Sequence, residues 1–221
     1  MANISAFEVL GPNMIGPSSS HTAGACSVAF LAQKMIKHPI TEVKFTLYGS
    51  FAHTYAGHGT DRALLGGIQG FDTDDKRIRD SFKIADENGL KYTFVPDDTV
   101  EDIYPNTVDI EMKNAEGKTV TVRGESIGGG KVKIVKINGV DVEFTGEYSA
   151  LIVTQQDVRG VVAHITAVLS HLGVNIAFMR LFREDKGQIA YTIVETDGRL
   201  PASVVEFILD NPNVKDAMIV Q

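Results

Sequence analysis

The C-terminal third of the chain contains strand and helix patterns in an order that few folds share. Six segments follow as strand, helix, strand, strand, helix and strand, at residues 150–154, 160–172, 174–183, 188–196, 201–209 and 214–220. The turn Asp185-Lys186-Gly187 separates the second strand from the third. A βαββαβ unit of this size is typical of a ferredoxin-like domain. The pattern therefore predicts such a domain over residues 148–221, with a boundary near residue 147.

Residues 1–147 carry a different mixture of helices and strands and are predicted to form a separate α/β domain. Apolar periodicity predicts helices at 23–37, 62–70 and 75–88, and strands at 43–48, 92–95, 107–113, 119–124, 131–137 and 140–144. The glycine-rich segment 49–61 is predicted to be a loop. The whole chain is thus expected to be an α/β protein of the α+β kind.

Composition limits the classes of function that the chain can have. The 221 residues carry a net charge of −7 without blocks of Lys and Arg, so we expect no nucleic-acid binding. The single cysteine, Cys26, excludes an internal disulfide and a self-contained thiolate metal centre, so no metal ligand is predicted. The N-terminal residues MANISAFEVLG lack the pattern of a signal peptide, and no apolar run could cross a bilayer. We therefore expect a cytoplasmic protein without a membrane partner.

The segment GPSSSHTAG, residues 16–24, concentrates polar groups immediately before a predicted helix. Four hydroxyls and one imidazole fall within five residues, Ser18, Ser19, Ser20, His21 and Thr22. If the helix begins near Thr22, its free N–H groups and its positive end favour an anion such as a carboxylate. His21, with an ordinary pKa of ~6.5, could act as a general base. The alternative is an N-cap in a solvated turn, for which one serine is enough.

Two glycine-rich segments further along the chain are also candidates for ligand binding. His58 lies between Gly57 and Gly59, where a substrate can approach closely; the alternative is an exposed loop histidine. The segment GESIGGGK, residues 124–131, can form a nest of backbone N–H groups that binds an anion. The alternative for this segment is a flexible connection between two strands.

The C-terminal unit offers candidate contacts for an effector. Asp157 and Gly160 join its first strand to its first helix, and Asn175 begins the next strand. Gly160 would allow a ligand or a neighbouring backbone to come near, and Asn175 is similarly placed. The alternative is that Asp157 is the N-cap of the helix and Gly160 only packs.

Several motifs, in the same order, resemble the beta-subunit family of iron–sulfur-dependent L-serine dehydratases. They are IGPSSSHTAGA, YGSFAHTYAGHGTD, FDTDD, YPNT and ESIGGGK, and the resemblance spans essentially the whole chain. The C-terminal unit resembles an ACT domain. The resemblance implies a lyase that dehydrates L-serine and hydrolyses the resulting enamine to pyruvate and ammonia. It also implies a [4Fe–4S] cluster held by three cysteines of a separate alpha subunit, with one open iron acting as Lewis acid on the departing hydroxyl.

The resemblance also assigns roles to residues of this chain. His21 and His58 match the two histidines of the family and are candidates for proton transfer, with His58 slightly favoured as the base. The substrate-binding candidates are Ser18, Ser19, Ser20, Thr22, Ser126 and Gly128, of which the last two match the nest-like loop. The implied partners are the alpha subunit and L-serine. We also expect a homodimer through the ACT domain, because residues 214–220 form an apolar strand that is predicted to lie at an edge.

Two other functions are left open by the residues themselves. The chain could be a non-catalytic regulatory subunit that senses serine, with all chemistry in the partner. An autonomous hydrolase is weaker, because the Gly-x-Ser-x-Gly elbow is absent and no acid partner can be assigned to a histidine. The N-terminal domain also resembles a domain of some phosphoglycerate dehydrogenases that holds an effector, so carboxylate binding need not imply catalysis.

Overall fold

A computed structural model describes residues 13–37 and 39–221 of the chain. The contacts within it separate two compact units between Asn138 and Gly139. The boundary predicted near residue 147 lies in the second unit and stays a prediction. The N-terminal segment for which no signal peptide is predicted lies outside the described residues. Within the described ranges, no helix has both the length and the apolar character needed to span a membrane.

The first unit is built on a mixed sheet whose strands lie in the order β2-β1-β3-β4-β5. Strand β1 is parallel to β2, and the remaining neighbours are antiparallel. The strands are β1 (Ile40–Tyr48), β2 (Lys91–Asp97), β3 (Thr107–Asn114), β4 (Thr119–Gly128) and β5 (Lys131–Ile137). The helices are α1 (Ala25–Gln33), α2 (Gly49–Thr54), α3 (Thr60–Ile68) and α4 (Ser81–Glu87), with a π-helical turn at Ser19–Gly24 and a 3-10 turn at Lys76–Asp80.

Alternation along the strands decides which face of this sheet is covered. In β3, Val108, Ile110 and Met112 are buried, whereas the intervening Glu111 and Lys113 are exposed. Helix α1 packs on the sheet and against α3. The two helices approach so closely at Gly67 that a Cβ there would overlap the Cys26 carbonyl oxygen. This crossing fixes α1, and with it the polar segment that precedes α1.

Two elements of the first unit differ from the sequence prediction. The helical structure begins at Ser19, not near Thr22 or Ala23, because a π-helical turn precedes α1. The loop predicted over residues 49–61 is wrong in its first half, which forms α2. The backbone N–H groups of Ser50 and Phe51 donate to the Pro105 carbonyl oxygen at 2.6 and 3.3 Å. This acceptor comes from a distant part of the sequence, so local patterns could not reveal the helix.

The second unit confirms the predicted βαββαβ order. Strand β6 (Val140–Phe144) precedes it, and the order β10-β7-β9-β8 forms an antiparallel four-stranded sheet. Its elements are β7 (Ser149–Gln156), α5 (Val161–His171), β8 (Ile176–Arg183), β9 (Ile189–Thr196), α6 (Val204–Leu209) and β10 (Val214–Val220). Leu151, Val194, Ile165 and Ile208 belong to one buried cluster between this sheet and the two helices. β10 lies at an edge of the sheet, as predicted, and the homodimer stays a prediction.

Candidate active site

The polar segment before α1 folds into the first turns of the helix. Ser18 is the N-cap, and its Oγ accepts a hydrogen bond from the His21 backbone N–H at 3.2 Å. The Thr22 hydroxyl donates to the Ser18 carbonyl oxygen at 2.6 Å and accepts from the Ser18 N–H at 3.1 Å. Thr22 is buried, so its hydroxyl locks the turn. Turns of π-helix are rare in proteins, and those that do occur are often found at functional sites.

Hydroxyl groups hold the His21 ring at both of its nitrogens. Ser20 Oγ lies 3.1 Å from His21 Nδ1, and Ser18 Oγ lies 3.5 Å from the same atom. On the other side, Ser50 Oγ lies 2.9 Å from His21 Nε2. Among the described residues, the half-buried Ser19 hydroxyl has no hydrogen-bond partner. Sequence reasoning missed Ser50, because it treated the segment after β1 as a loop.

The fold brings the two predicted histidines together. The ring centroids of His21 and His58 are 5.1 Å apart, with 40° between the ring planes. The Phe51 ring meets His21 edge-on at 5.4 Å. His58 is exposed in the turn between α2 and α3, and its backbone N–H donates to the Thr54 carbonyl oxygen at 3.1 Å. Gly59 follows with φ of 72°, a left-handed conformation that favours glycine and lets α3 begin there.

The environments of the two imidazoles differ. Burial lowers the pKa of His21, and the nearby His58 lowers it further, so the ring is neutral at neutral pH. Within the described part of the chain, the ring nitrogens of His58 have no hydrogen-bond partner. An imidazole with a free lone pair can accept a proton, whereas one whose nitrogens are both engaged is held in place. The arrangement can therefore provide one fixed, neutral histidine beside one accessible histidine.

A cleft of about 390 Å³ opens beside the histidine pair. His58 and Thr22 line it, together with Gly16, Pro17 and two arginines, Arg62 and Arg79. The serines of the turn do not belong to its lining among the described residues. These arginines were not singled out from the sequence, since no local pattern connects Arg62 with Arg79, which lies seventeen residues further along the chain.

The glycine run of GESIGGGK has a different structure from the nest that the sequence predicts. Ser126 lies within β4 and is fully buried. Its Oγ has no hydrogen-bond partner among the described residues, and the side chain packs where Gly24 of the helical segment passes. Gly128 pairs with Lys131 across the β4–β5 hairpin, and Gly129 and Gly130 form its turn with φ of 61° and 79°. Positive φ angles in a two-residue hairpin turn account for the glycines, and anion binding by this segment stays a prediction.

The chain does not offer the ligands that an iron–sulfur cluster needs. Cys26 is 1% exposed, and its thiol donates to the Phe71 carbonyl oxygen at 3.3 Å. Burial is the main reason that its pKa is raised to about 12, so the thiolate that binds iron is disfavoured. Over residues 13–37 and 39–221, no group of three His, Cys, Asp or Glu side chains could hold a metal ion. A [4Fe–4S] cluster does not fit these residues.

The three predicted effector contacts do not meet in one place. Asp157 does not cap α5; its carboxylate accepts from the Gly187 N–H and from Arg183, each at 3.1 Å. Gly160 is the N-cap, with φ of 91°. Asn175 lies beyond the other end of α5, about 16 Å away along eleven residues of helix, and donates to Asp197. The N-cap role suggested for Asp157 is wrong, and effector binding stays a prediction.

Comparison with known proteins shows which family the chain belongs to. A model of the serine dehydratase beta chain matches residues 5–93, and an ACT-domain model matches residues 149–208. The chain is 44% identical over 209 residues to the L-serine dehydratase beta chain of Peptoniphilus asaccharolyticus, covering 95% of this chain and 94% of that protein. The chain belongs to the L-serine dehydratase beta-chain family. The predicted resemblance is thereby confirmed.

A second beta chain supports this family assignment, and a more distant relative has a different name. A probable L-serine dehydratase beta chain of Bacillus subtilis is 37% identical over 210 residues, covering 95% of this chain and 94% of that protein. A D-3-phosphoglycerate dehydrogenase of Methanocaldococcus jannaschii is 28% identical over 126 residues, covering 57% of this chain and 24% of that protein. Part of the beta chain therefore also resembles a protein whose name denotes another reaction.

Proposed function

We propose that this chain is the beta subunit of an L-serine dehydratase, which deaminates L-serine to pyruvate and ammonia together with a [4Fe–4S]-carrying alpha subunit. The observation that carries the proposal is the contact between His21 and His58 beside an open cleft, in a chain that belongs to the beta-chain family. The beta-chain names of its relatives support a second subunit.

In this proposal His58 is the general base. It is exposed, lines the cleft and keeps its ring nitrogens free of described partners, so substrate can reach a lone pair. It removes the α-proton of serine as the β-hydroxyl departs, and hydrolysis of the resulting enamine gives pyruvate and ammonia. The hydroxyls of Ser20 and Ser50 hold the His21 ring in place. Because its pKa is lowered, His21 is a neutral neighbour of His58.

The cluster belongs to the alpha subunit in this proposal. The only thiol of the chain is buried, hydrogen-bonded and protonated, so this chain supplies no ligand of the required kind. The beta subunit then contributes the histidines and the cleft as one wall of a shared active site. L-serine is the proposed substrate, and the cytoplasm is the proposed compartment.

The test is reconstitution followed by substitution of the histidines. The chain is assembled with its alpha subunit under anaerobic, iron-replete conditions, and pyruvate formation from L-serine is measured. Replacing His58 by Ala should lower kcat by roughly 10²–10⁴-fold, the usual contribution of a general base. His21→Ala should also lower kcat, because the packing and hydroxyl contacts around the base are lost.

A matched control lies in the neighbouring helix. His53 of α2 is exposed and does not line the cleft, so His53→Ala should keep wild-type kcat and KM. Co-purification with the alpha subunit and iron content are measured for each variant, which separates loss of chemistry from loss of assembly. Wild-type turnover in both His21→Ala and His58→Ala would refute the proposed roles.

Two observations favour a second candidate, a regulatory subunit that binds serine without catalysing its deamination. The chain carries an ACT domain, and part of it resembles a dehydrogenase with a different reaction. This candidate predicts that the histidine variants raise KM, or abolish a response to serine, while kcat at saturating serine stays unchanged. The same kinetic series therefore distinguishes the two functions.

A further inference from the structure

A second cavity, of about 390 Å³, lies at the ends of three helices of the first unit. Gln33 is the last residue of α1, Gln69 follows the last residue of α3, and Asn88 follows the last residue of α4. All three residues line the cavity. Within the described part of the chain, this cavity shares no lining residue with the cleft that contains His58.

The three helix ends make the cavity attractive to positive charge. The C-terminal end of a helix carries a partial negative charge, and its last carbonyl groups lack a partner within the helix. The helices that end here are Ala25–Gln33, Thr60–Ile68 and Ser81–Glu87. Among the described residues, no Lys, Arg, Asp or Glu side chain lines the cavity. The cavity therefore favours a cation, but it lacks the carboxylates that divalent metal ions prefer.

The side-chain amide of Gln69 has an acceptor without a partner. Its Nε2 donates to the carbonyl oxygens of Leu65 and Ser81 at 3.0 and 2.9 Å, and these two bonds fix the orientation of the amide. Its Oε1 is buried and has no hydrogen-bond partner among the described residues. Because a buried acceptor without a donor is unfavourable, a donor supplied by a ligand would stabilise this group.

Gln33 adds a second buried amide to the wall. Its side chain is 9% exposed and has no hydrogen-bond partner over residues 13–37 and 39–221. Buried amides in proteins are nearly always hydrogen-bonded, so this one also calls for a polar ligand. Asn88 is exposed, and its side chain likewise has no hydrogen-bond partner in the described part of the chain.

The rest of the described lining is aliphatic and consists of Pro39, Ile40, Ile68 and Leu90. Sites for small molecules typically combine apolar walls with a few well-placed polar groups. A bare ion would fill only a small part of this volume. A molecule with a short hydrocarbon part would also contact the aliphatic side chains.

We propose that this cavity binds a protonated aliphatic amine, whose ammonium group faces the amides of Gln33 and Gln69. An ammonium group has three N–H donors and no acceptor, which suits a wall of oxygen acceptors at negative helix ends. The hydrocarbon part lies against the aliphatic side chains. The cavity is at the beginning of β1, whereas Ser50 and His58 follow its end, so the proposal goes beyond deamination of serine and does not depend on it.

The test uses three probes of similar carbon skeleton that differ in charge, namely n-butylammonium chloride, sodium butyrate and n-butanol. The isotope-labelled 221-residue chain is titrated with each probe at constant pH and ionic strength, and its backbone N–H signals are followed by NMR. Butylammonium should shift the signals of the lining residues saturably, with a Kd on the order of 1–10 mM for so small a ligand. Butyrate and butanol should not. An equal response to either of them, or no saturable shift with butylammonium, would overturn the site.

Two variants and a matched control test the residues. Gln33→Leu breaks no hydrogen bond between described residues and should weaken butylammonium binding at least roughly tenfold, because a charge-assisted hydrogen bond is lost. Asn88→Asp adds a negative charge beside the cavity and should tighten binding roughly two- to fivefold. Asn211→Asp adds the same charge in the second unit, keeps the Oδ1 acceptor for the Asn213 N–H, and should leave the affinity unchanged.

Circular dichroism shows whether each variant folds. Wild-type affinity in both Gln33→Leu and Asn88→Asp would overturn the site. If Gln33→Leu does not fold, Asn88→Asp decides: tighter binding than in Asn211→Asp supports the site, and equal binding in these two variants refutes it.

Discussion

Replacement of Gly24 by Ala tests how the helical segment that carries His21 is seated on the sheet. Gly24 has φ of −63° and ψ of −42°, an ordinary helical conformation, so the backbone does not require glycine. Strand β4 is what requires glycine at this position, because a Cβ at Gly24 would overlap Ser126 Oγ and lie 2.7 Å from Ser126 Cβ. Rotation of the Ser126 hydroxyl would relieve the first overlap and leave the second.

Two opposing magnitudes decide the sign of this substitution. Alanine is favoured over glycine inside a helix by about 0.5–1 kcal/mol. Overfilling a packed interior costs about 1–3 kcal/mol. We therefore expect Gly24→Ala to lower the free energy of unfolding by roughly 1–2 kcal/mol. For a chain of this length, each kcal/mol corresponds to about 2–4 °C in Tm.

The assay is a double-mutant cycle followed by urea unfolding and circular dichroism. Ser126→Gly removes the atoms that clash and alone costs about 0.5–1 kcal/mol, since glycine weakens a strand. In the double variant the two losses should not add, and the coupling should exceed about 1 kcal/mol in the stabilising direction. Gly198→Ala is the control, because no atom lies within 4 Å of a Cβ at Gly198.

A Gly24→Ala variant as stable as the wild type would refute this reasoning. So would losses that add fully in the double variant, since the contact between the two residues would then carry no energy. Ser126→Ala offers a functional counterpart. If Ser126 serves packing alone, this variant keeps its KM for serine, because the buried hydroxyl has no hydrogen-bond partner to lose within residues 13–37 and 39–221.

Three further properties can be measured directly. Cys26 should resist alkylation at pH 8 in the native protein and react after unfolding, because burial raises its pKa to about 12; rapid native modification, detected by mass spectrometry, would contradict this. The free energy of unfolding should fall as the pH drops below the ordinary histidine pKa of 6.5. Burial lowers the pKa of His21 in the folded state, so the unfolded state binds more protons in this range. His21→Gln should flatten this part of a stability–pH profile. Arg123→Ala should destabilise the chain by about 1–3 kcal/mol in urea unfolding, because Asp109, which also accepts from Tyr48, loses a bidentate partner at 2.6 Å; an unchanged midpoint would show that the pair contributes nothing.

Elements whose signals are local could be predicted from the sequence. The bounds of β5, β6 and β10 equal those predicted, because alternation of buried and exposed residues coincides with turn residues such as Asn138-Gly139. The turn after β3 lies between the strands predicted at 107–113 and 119–124, and there Asn114 accepts from the backbone N–H groups of Glu116 and Lys118. The fold class follows from such elements and their order.

Features that depend on distant partners could not be predicted. Helix α2 begins where the Pro105 carbonyl accepts from Ser50, more than fifty residues away in the sequence, and Ser50 then reaches His21. The GPSSSHTAG motif helped to identify the family, yet only its Gly16, Pro17 and Thr22 line the cleft, whereas Ser18 and Ser20 contact the His21 ring. Asp157 has the residue type and position of an N-cap, but Gly187 and Arg183 compete successfully for its carboxylate.

The two histidines differ in their hydrogen bonds, and this difference suggests what the residues of the GPSSSHTAG motif do for the site. The ring centroids of His21 and His58 are 5.1 Å apart, and the nearby His58 contributes to the lowered pKa of His21. The nitrogens of His21 are engaged by Ser20 and Ser50, and its pKa is lowered chiefly by burial, so the His21 ring is fixed and neutral. Of the two rings, His58 is the one that lines the cleft, so in the proposed function it is the ring placed to receive the α-proton of the substrate. Loss of the Ser50 hydroxyl should loosen this arrangement, so Ser50→Ala should lower kcat less than His58→Ala and shift the acid limb of the kcat–pH profile. A kcat–pH profile identical to the wild type would show that Ser50 does not position His21.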